Sequence, residues 1–129
     1  MRLNPDCIRA ILLTVEEYTG FKKLMNVDEK HYAQYPLLQE FEFDEIAYHI
    51  VQCNLSGYFL DFAHQYDDKF MIVGLSPNGH EFVENVRISS HWNEIKKIAD
   101  STGSKSLKVI SQLADLYWSK KIRNQNNDD

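Results

Sequence analysis

His80 and Glu84 stand one helical turn apart, with Glu81 between them. They invite comparison with the zinc helix His-Glu-x-x-His, in which two imidazoles on one face and a third ligand hold the ion. Position 84 carries a carboxylate where that helix needs its second imidazole, so the pair reads as a helix-surface contact and no metal site is expected. Cys7 and Cys53 are the two thiols, each inside an apolar helical pattern and without Cys-x-x-Cys spacing. Buried free thiols are expected of them. His31, His49, His64 and His91 are isolated, and no Ser or Cys sits in a Gly-x-Ser-x-Gly elbow. The five glycines each read as a stop or a turn, not as a phosphate loop. No catalytic residue and no cofactor is therefore expected, and the chain does not read as an enzyme. The aromatic run Tyr58, Phe59 and Phe62 has the residue types that stack bases in single-strand binders. The preferred reading is strand core.

These residues need elements to position them. Asn4-Pro5-Asp6 starts a helix: a capping side chain, a proline at the first helical position and an acid in the first turn. Ile8, Ile11, Leu12 and Val15 recur at helical spacing, and Thr19-Gly20 supplies the stop, so the spacing predicts a helix over 5–18. From 21 to 43 the pattern is irregular. A short helix capped by Asn26 or Asp28 fits 26–35 until Pro36 breaks it. Asp44 then reads as the cap of a clear helix over 44–55, with Ile46, Ala47, Ile50 and Cys53 on one face and Gly57 ending it. The aromatic-rich 58–64 and the apolar 70–75, joined by the polar 65–69, read as a β-hairpin. Ser76-Pro77 restarts a helix with Phe82, Val83 and Val86 as its buried stripe, ending near Arg87. Two further helices follow, 91–101 with Trp92, Ile95, Ile98 and Ala99 inward, and 104–122 with Leu107, Ile110, Leu113, Ala114 and Tyr117 repeating. The polar end, 124–129, is expected to fray as a disordered tail.

The whole fits one α+β domain: a core over 1–88, two C-terminal helices over 89–123 on or beside it, and the tail. With 129 residues, 43% of them hydrophobic, the chain is long enough to bury one core. The apolar run 8–13 is too short for a signal segment or a membrane span, so a cytoplasmic protein without membrane contact is expected.

The order of helix, irregular segment, helix ending at glycine and an aromatic, hairpin, and helix opening at Leu-Ser-Pro-x-Gly resembles a winged helix-turn-helix, three helices plus a hairpin wing, here with extra C-terminal helices. The stretch 44–59 is similar to the recognition helix and first wing strand of such domains, and Leu75-Ser76-Pro77-Asn78-Gly79-His80-Glu81-Phe82 to the end of the wing. More closely, Met1-Arg2-Leu3-Asn4-Pro5-Asp6-Cys7-Ile8-Arg9, then Gly79-His80-Glu81-Phe82, Asn85-Val86-Arg87 and Trp92 resemble the bacterial and phage family catalogued as domain of unknown function 2513. That resemblance covers nearly the whole chain. It implies an accessory role in phages and integrated elements, and assigns no activity.

Winged helices usually place the recognition helix in the DNA major groove. Here the outward positions of that helix read as Asp44, Glu45, Tyr48, His49 and Gln52, and these are the candidate partner-binding residues. Between His31 and Asp68 there is no Lys or Arg, while Glu40, Glu42, Asp44, Glu45, Asp61, Asp67 and Asp68 bring seven acids. Phosphate neutralisation supplies essentially all non-specific nucleic-acid affinity, and this stretch would have to provide it. The formal charge of −5 adds no pull toward phosphate. Another protein is therefore the expected partner, with a solvated, partnerless surface as the plain alternative. A transcriptional regulator touching DNA through Tyr48, His49 and Gln52 is the alternative function, and a homodimer stays open in either case. The cations gather instead at Lys96, Lys97, Lys105, Lys108, Lys120, Lys121 and Arg123, interspersed with acids as on a solvated helix face.

Overall fold

The computed structural model describes residues 1–103 and 106–126. Its elements are helix α1 (Pro5–Tyr18), strand β1 (Met25–Val27), a 3-10 turn (Tyr32–Gln34), helix α2 (Phe43–Leu55), strands β2 (Phe59–His64) and β3 (Phe70–Leu75), and helices α3 (Pro77–Val86), α4 (Ser89–Thr102) and α5 (Leu107–Asn126). The class is α+β, with one antiparallel three-stranded sheet. Two units partition the chain, Met1–Val83 and Glu84–Asp129. None of the described helices is long and apolar enough to cross a membrane.

In the first unit, α1 begins as its sequence dictates. The Asn4 side chain accepts the Asp6 backbone N–H at 3.1 Å, and Pro5 fills a position whose own N–H would have had no partner. Cys7, Ile8, Ile11, Leu12 and Val15 are buried along one stripe, and the buried Thr14 hydroxyl is satisfied by the Ala10 carbonyl at 2.7 Å. Helix α2 packs against α1, and its Ile46, Ile50 and Cys53 are buried. It starts one residue earlier than its pattern predicts: Glu42 is the cap position and makes no side-chain cap bond, while Asp44 and Glu45 lie in the first turn. Carboxylates there complement the helix dipole, so the start is stabilised without an Asp cap. At the other end Gly57 takes φ 78°, the left-handed conformation that closes helices.

The hairpin forms as expected, with His64 opposite Phe70 and Phe59 opposite Leu75. The irregular segment 21–43 does not hold the expected helix over 26–35. Met25 and Val27 instead pair with Ile72 and Phe70, making β3 the central strand in the order β1-β3-β2. Burying Met25 and Val27 against the core outweighs the weak local helix preference of the segment. Asp28 still acts as a local cap, accepting the His31 backbone N–H at 2.8 Å, but only one 3-10 turn follows.

The Leu-Ser-Pro-x-Gly sequence acquires a physical meaning where α3 meets the α2–β2 link. Ser76 donates its hydroxyl to the Gly57 carbonyl at 2.5 Å and its N–H to the Tyr58 carbonyl at 2.9 Å. The same hydroxyl accepts the Gly79 N–H at 3.1 Å, capping α3. Gly79 passes so close to Tyr58 that a Cβ placed on it would lie 2.2 Å from the Tyr58 carbonyl oxygen. Tyr58 also meets the ring of Phe82, 5.2 Å centroid to centroid. This clasp holds the root of the hairpin.

In the second unit α4 and α5 pack together, and Trp92, Ile95, Ala99, Leu107, Ile110 and Ala114 are buried. Ile98, expected inward, is 41% exposed, because Trp92, Ile95 and Ala99 complete the stripe without it. The Tyr117 hydroxyl donates to the Glu94 carboxylate at 2.5 Å, a bond that pushes the phenol up to about 12 and holds the carboxyl below its usual range. The last helix runs to Asn126, past the expected end near 122, since no Gly or Pro interrupts it. The expected helix start at Ser104 and the last three residues of the polar tail lie outside the described residues.

Candidate functional site

The outward face of α2 forms one wall of a groove whose other wall is the hairpin. Asp44, Tyr48 and Gln52 recur at a spacing of one turn and line it, together with Ala47 and Val51. The hairpin contributes His64, Asp68 and Phe70, and Phe43 and Met1 complete the lining of a shallow, open depression of about 370 Å³. The floor is apolar. The rim carries two carboxylates, Asp44 and Asp68, and neither Lys nor Arg is among the lining residues.

Hairpin register delivers the second wall. His64 lies opposite Phe70, their rings stack at 4.5 Å, and the imidazole Nε2 meets the Asp68 carboxylate at 2.9 Å. Asp68 sits at φ 53°, a left-handed turn position that aspartate tolerates better than most side chains. Sequence spacing along α2 reaches Asp44, Tyr48 and Gln52, but not His64, Asp68 or Phe70. Recognising those requires knowing which turn residue folds back onto which strand end.

His49 is not on this face. Expected outward, it is fully buried. Its Nε2 accepts the Asn4 backbone N–H at 2.8 Å, while its Nδ1–H donates to the Glu45 carbonyl at 2.7 Å. This pairing assigns the proton to Nδ1 and the lone pair to Nε2. Glu45, half-buried, accepts the Asn4 side-chain amide at 2.7 Å, so it too is partly withdrawn from the partner-binding set. Burial stands because both imidazole nitrogens find backbone partners, which removes the desolvation penalty that made an outward position the natural expectation. The start of α1 is thereby tied to α2.

Beside them lies Cys7, and single ligand atoms of Cys7, Glu45 and His49 all fall within 4.8 Å of one another. The residue types suit zinc. Their bonds do not leave them available, because Asn4 and the Glu45 carbonyl already occupy both ring nitrogens. Burial, helped by the nearby Glu45 and Asp6 carboxylates, pushes the Cys7 thiol up to about 12, and burial raises Cys53 as well. Both cysteines are buried free thiols, as expected, and as neutral thiols they are inert near neutral pH. The trio acts as a tether between helices. His49→Leu, which keeps bulk but leaves the Asn4 N–H without its acceptor, should cost about 1–3 kcal/mol in urea denaturation. Faster hydrogen exchange at the Asn4 amide would accompany it.

A family model described as "Hypothetical protein (DUF2513)" matches residues 2–105. The chain belongs to this family. The match spans α1 through α4, and so includes all of the groove but Met1, the buried tether and the clasp of this DUF2513 protein. No curated protein and no solved structure matches it significantly.

Proposed function

We propose that this DUF2513 protein is a non-enzymatic binding module of winged-helix type whose α2 groove takes a cationic, partly apolar segment of another protein. The carrying observation is the groove itself: an apolar floor between two carboxylates, with no Lys or Arg lining it. Eight of its ten lining residues come from a stretch, 31–68, that holds seven acids and no Lys or Arg, with Met1 and Phe70 completing it. Such a surface repels phosphate and attracts lysine and arginine. The winged-helix reading is supported by the order helix, strand, short turn, helix, hairpin, with the first strand paired to the second strand of the hairpin. An accessory or regulatory role follows from binding without chemistry. The regulator reading keeps Tyr48 and Gln52 as base-contacting candidates and loses His49, which is buried.

The unmodified protein should show no salt-sensitive shift of random duplex DNA at micromolar concentration. A labelled peptide alternating lysine and leucine should bind and be released by salt. Glu42→Lys with Asp44→Lys should weaken the peptide and create weak DNA affinity. Both side chains are exposed, whereas Glu45 is tied to Asn4 and its replacement would confound folding with binding. Nanomolar binding of a specific duplex, lost in Tyr48→Ala or Gln52→Ala without unfolding, would replace this reading with the regulator.

A further inference from the structure

Just beyond α1 the chain makes a tight reverse turn. The Gly20 N–H donates to the Lys23 carbonyl at 2.9 Å and the Lys23 N–H returns to the Gly20 carbonyl at 3.2 Å, leaving Phe21 and Lys22 at the tip. The root of the turn is held as well. Thr19 donates both its N–H, at 3.1 Å, and its hydroxyl, at 2.6 Å, to the Val15 carbonyl, and the Lys23 ammonium lies over the Tyr18 ring. A pinned turn thus presents a fully exposed phenylalanine.

Beside Phe21 lies an apolar hollow of about 520 Å³, walled by Leu60, Val73 and Leu75 from the hairpin, and by Glu16 and His80. Leu60 is 65% and Val73 37% exposed, so with Phe21 they form a contiguous apolar surface facing water. Gly74 keeps the hollow open, since a side chain there would fill space toward Thr19.

We propose that this surface joins two copies of the chain, with Phe21 of each copy seated in the hollow of the other. Knob and hollow adjoin on one molecule, so a twofold axis that seats one phenylalanine seats both, which is the geometry of a closed, self-complementary dimer. Charge follows the same reciprocity. Lys22 accompanies the knob, and Glu16 borders the hollow, so each lysine arrives beside a carboxylate of its partner. Two buried aromatic anchors give such an interface its hot spots. The surface is separate from the α2 groove, and neither reading depends on the other.

The test is mass against concentration for the full chain, by sedimentation or light scattering. The wild-type protein should approach twice its 15.1 kDa and dissociate on dilution. Phe21→Asp, at a side chain without intramolecular burial, should keep its circular dichroism, and its melting temperature at dilutions where the wild type is monomeric, while weakening the dimer by about thirtyfold or more, as loss of a hot spot does. Leu60→Asp, on the opposite side of the contact, should do the same, and Lys22→Glu should weaken it several-fold at low salt. A wild-type protein at 15.1 kDa over the whole range, or a dimer unchanged in Phe21→Asp, would overturn the proposal.

Discussion

Gly79→Ala is expected to lower the stability of this protein by about 3 kcal/mol or more, the upper end of what overpacking a core costs. The added methyl would lie 2.2 Å from the Tyr58 carbonyl oxygen and 3.1 Å from its carbon, and these are backbone atoms with no rotamer to escape into. Relief would require α3 to pull away from the α2–β2 link, which breaks the Ser76 bonds to Gly57 and Tyr58. Gly20→Ala is the matched control. Nothing lies within 4 Å of a Cβ there, so its effect should stay within about 1 kcal/mol in either direction. Urea melts of the two variants side by side decide the matter, and equal stabilities would remove the clasp from the account of the fold.

Ile50→Ala should cost about 2–5 kcal/mol, the range for truncating a buried aliphatic side chain. Ile50 is completely buried on the apolar stripe of α2, between Ile46 and Cys53. The same truncation at Leu55, which is largely exposed, should change stability by no more than about 0.5 kcal/mol. A small effect at Ile50 in urea denaturation would mean that α2 is turned differently about its axis, and with it the groove face carrying Asp44, Tyr48 and Gln52.

Local chemistry made α1 and the hairpin legible. A capping asparagine, a proline and a glycine bracket the first, and two apolar runs around a polar loop declare the second. Strand β1 has no such signal, because three residues of Met-Asn-Val carry too little pattern and their strand character comes from pairing with Ile72 and Phe70 far along the chain. On α2, three of the five candidate site residues remain on the groove, as helical spacing alone suffices to align 44, 48 and 52. His49 had a usable signal: it stands three residues after Ile46 and four before Cys53, inside the apolar stripe. Its polarity argued for solvent, and only the fold could supply the Asn4 N–H and the Glu45 carbonyl that make burial acceptable.

Strand β2 lies at the border of the sheet, and its pairing with β3 slips around Asp61, between Phe59 and Phe62. A kinked outer strand that carries a carboxylate makes a poor template for a further strand, because the kink spoils the row of N–H and C=O groups and the charge resists being covered. The sheet therefore ends where the chain ends it. This border is expected to disfavour extension by backbone pairing, whether by a partner strand or by a second copy of the chain.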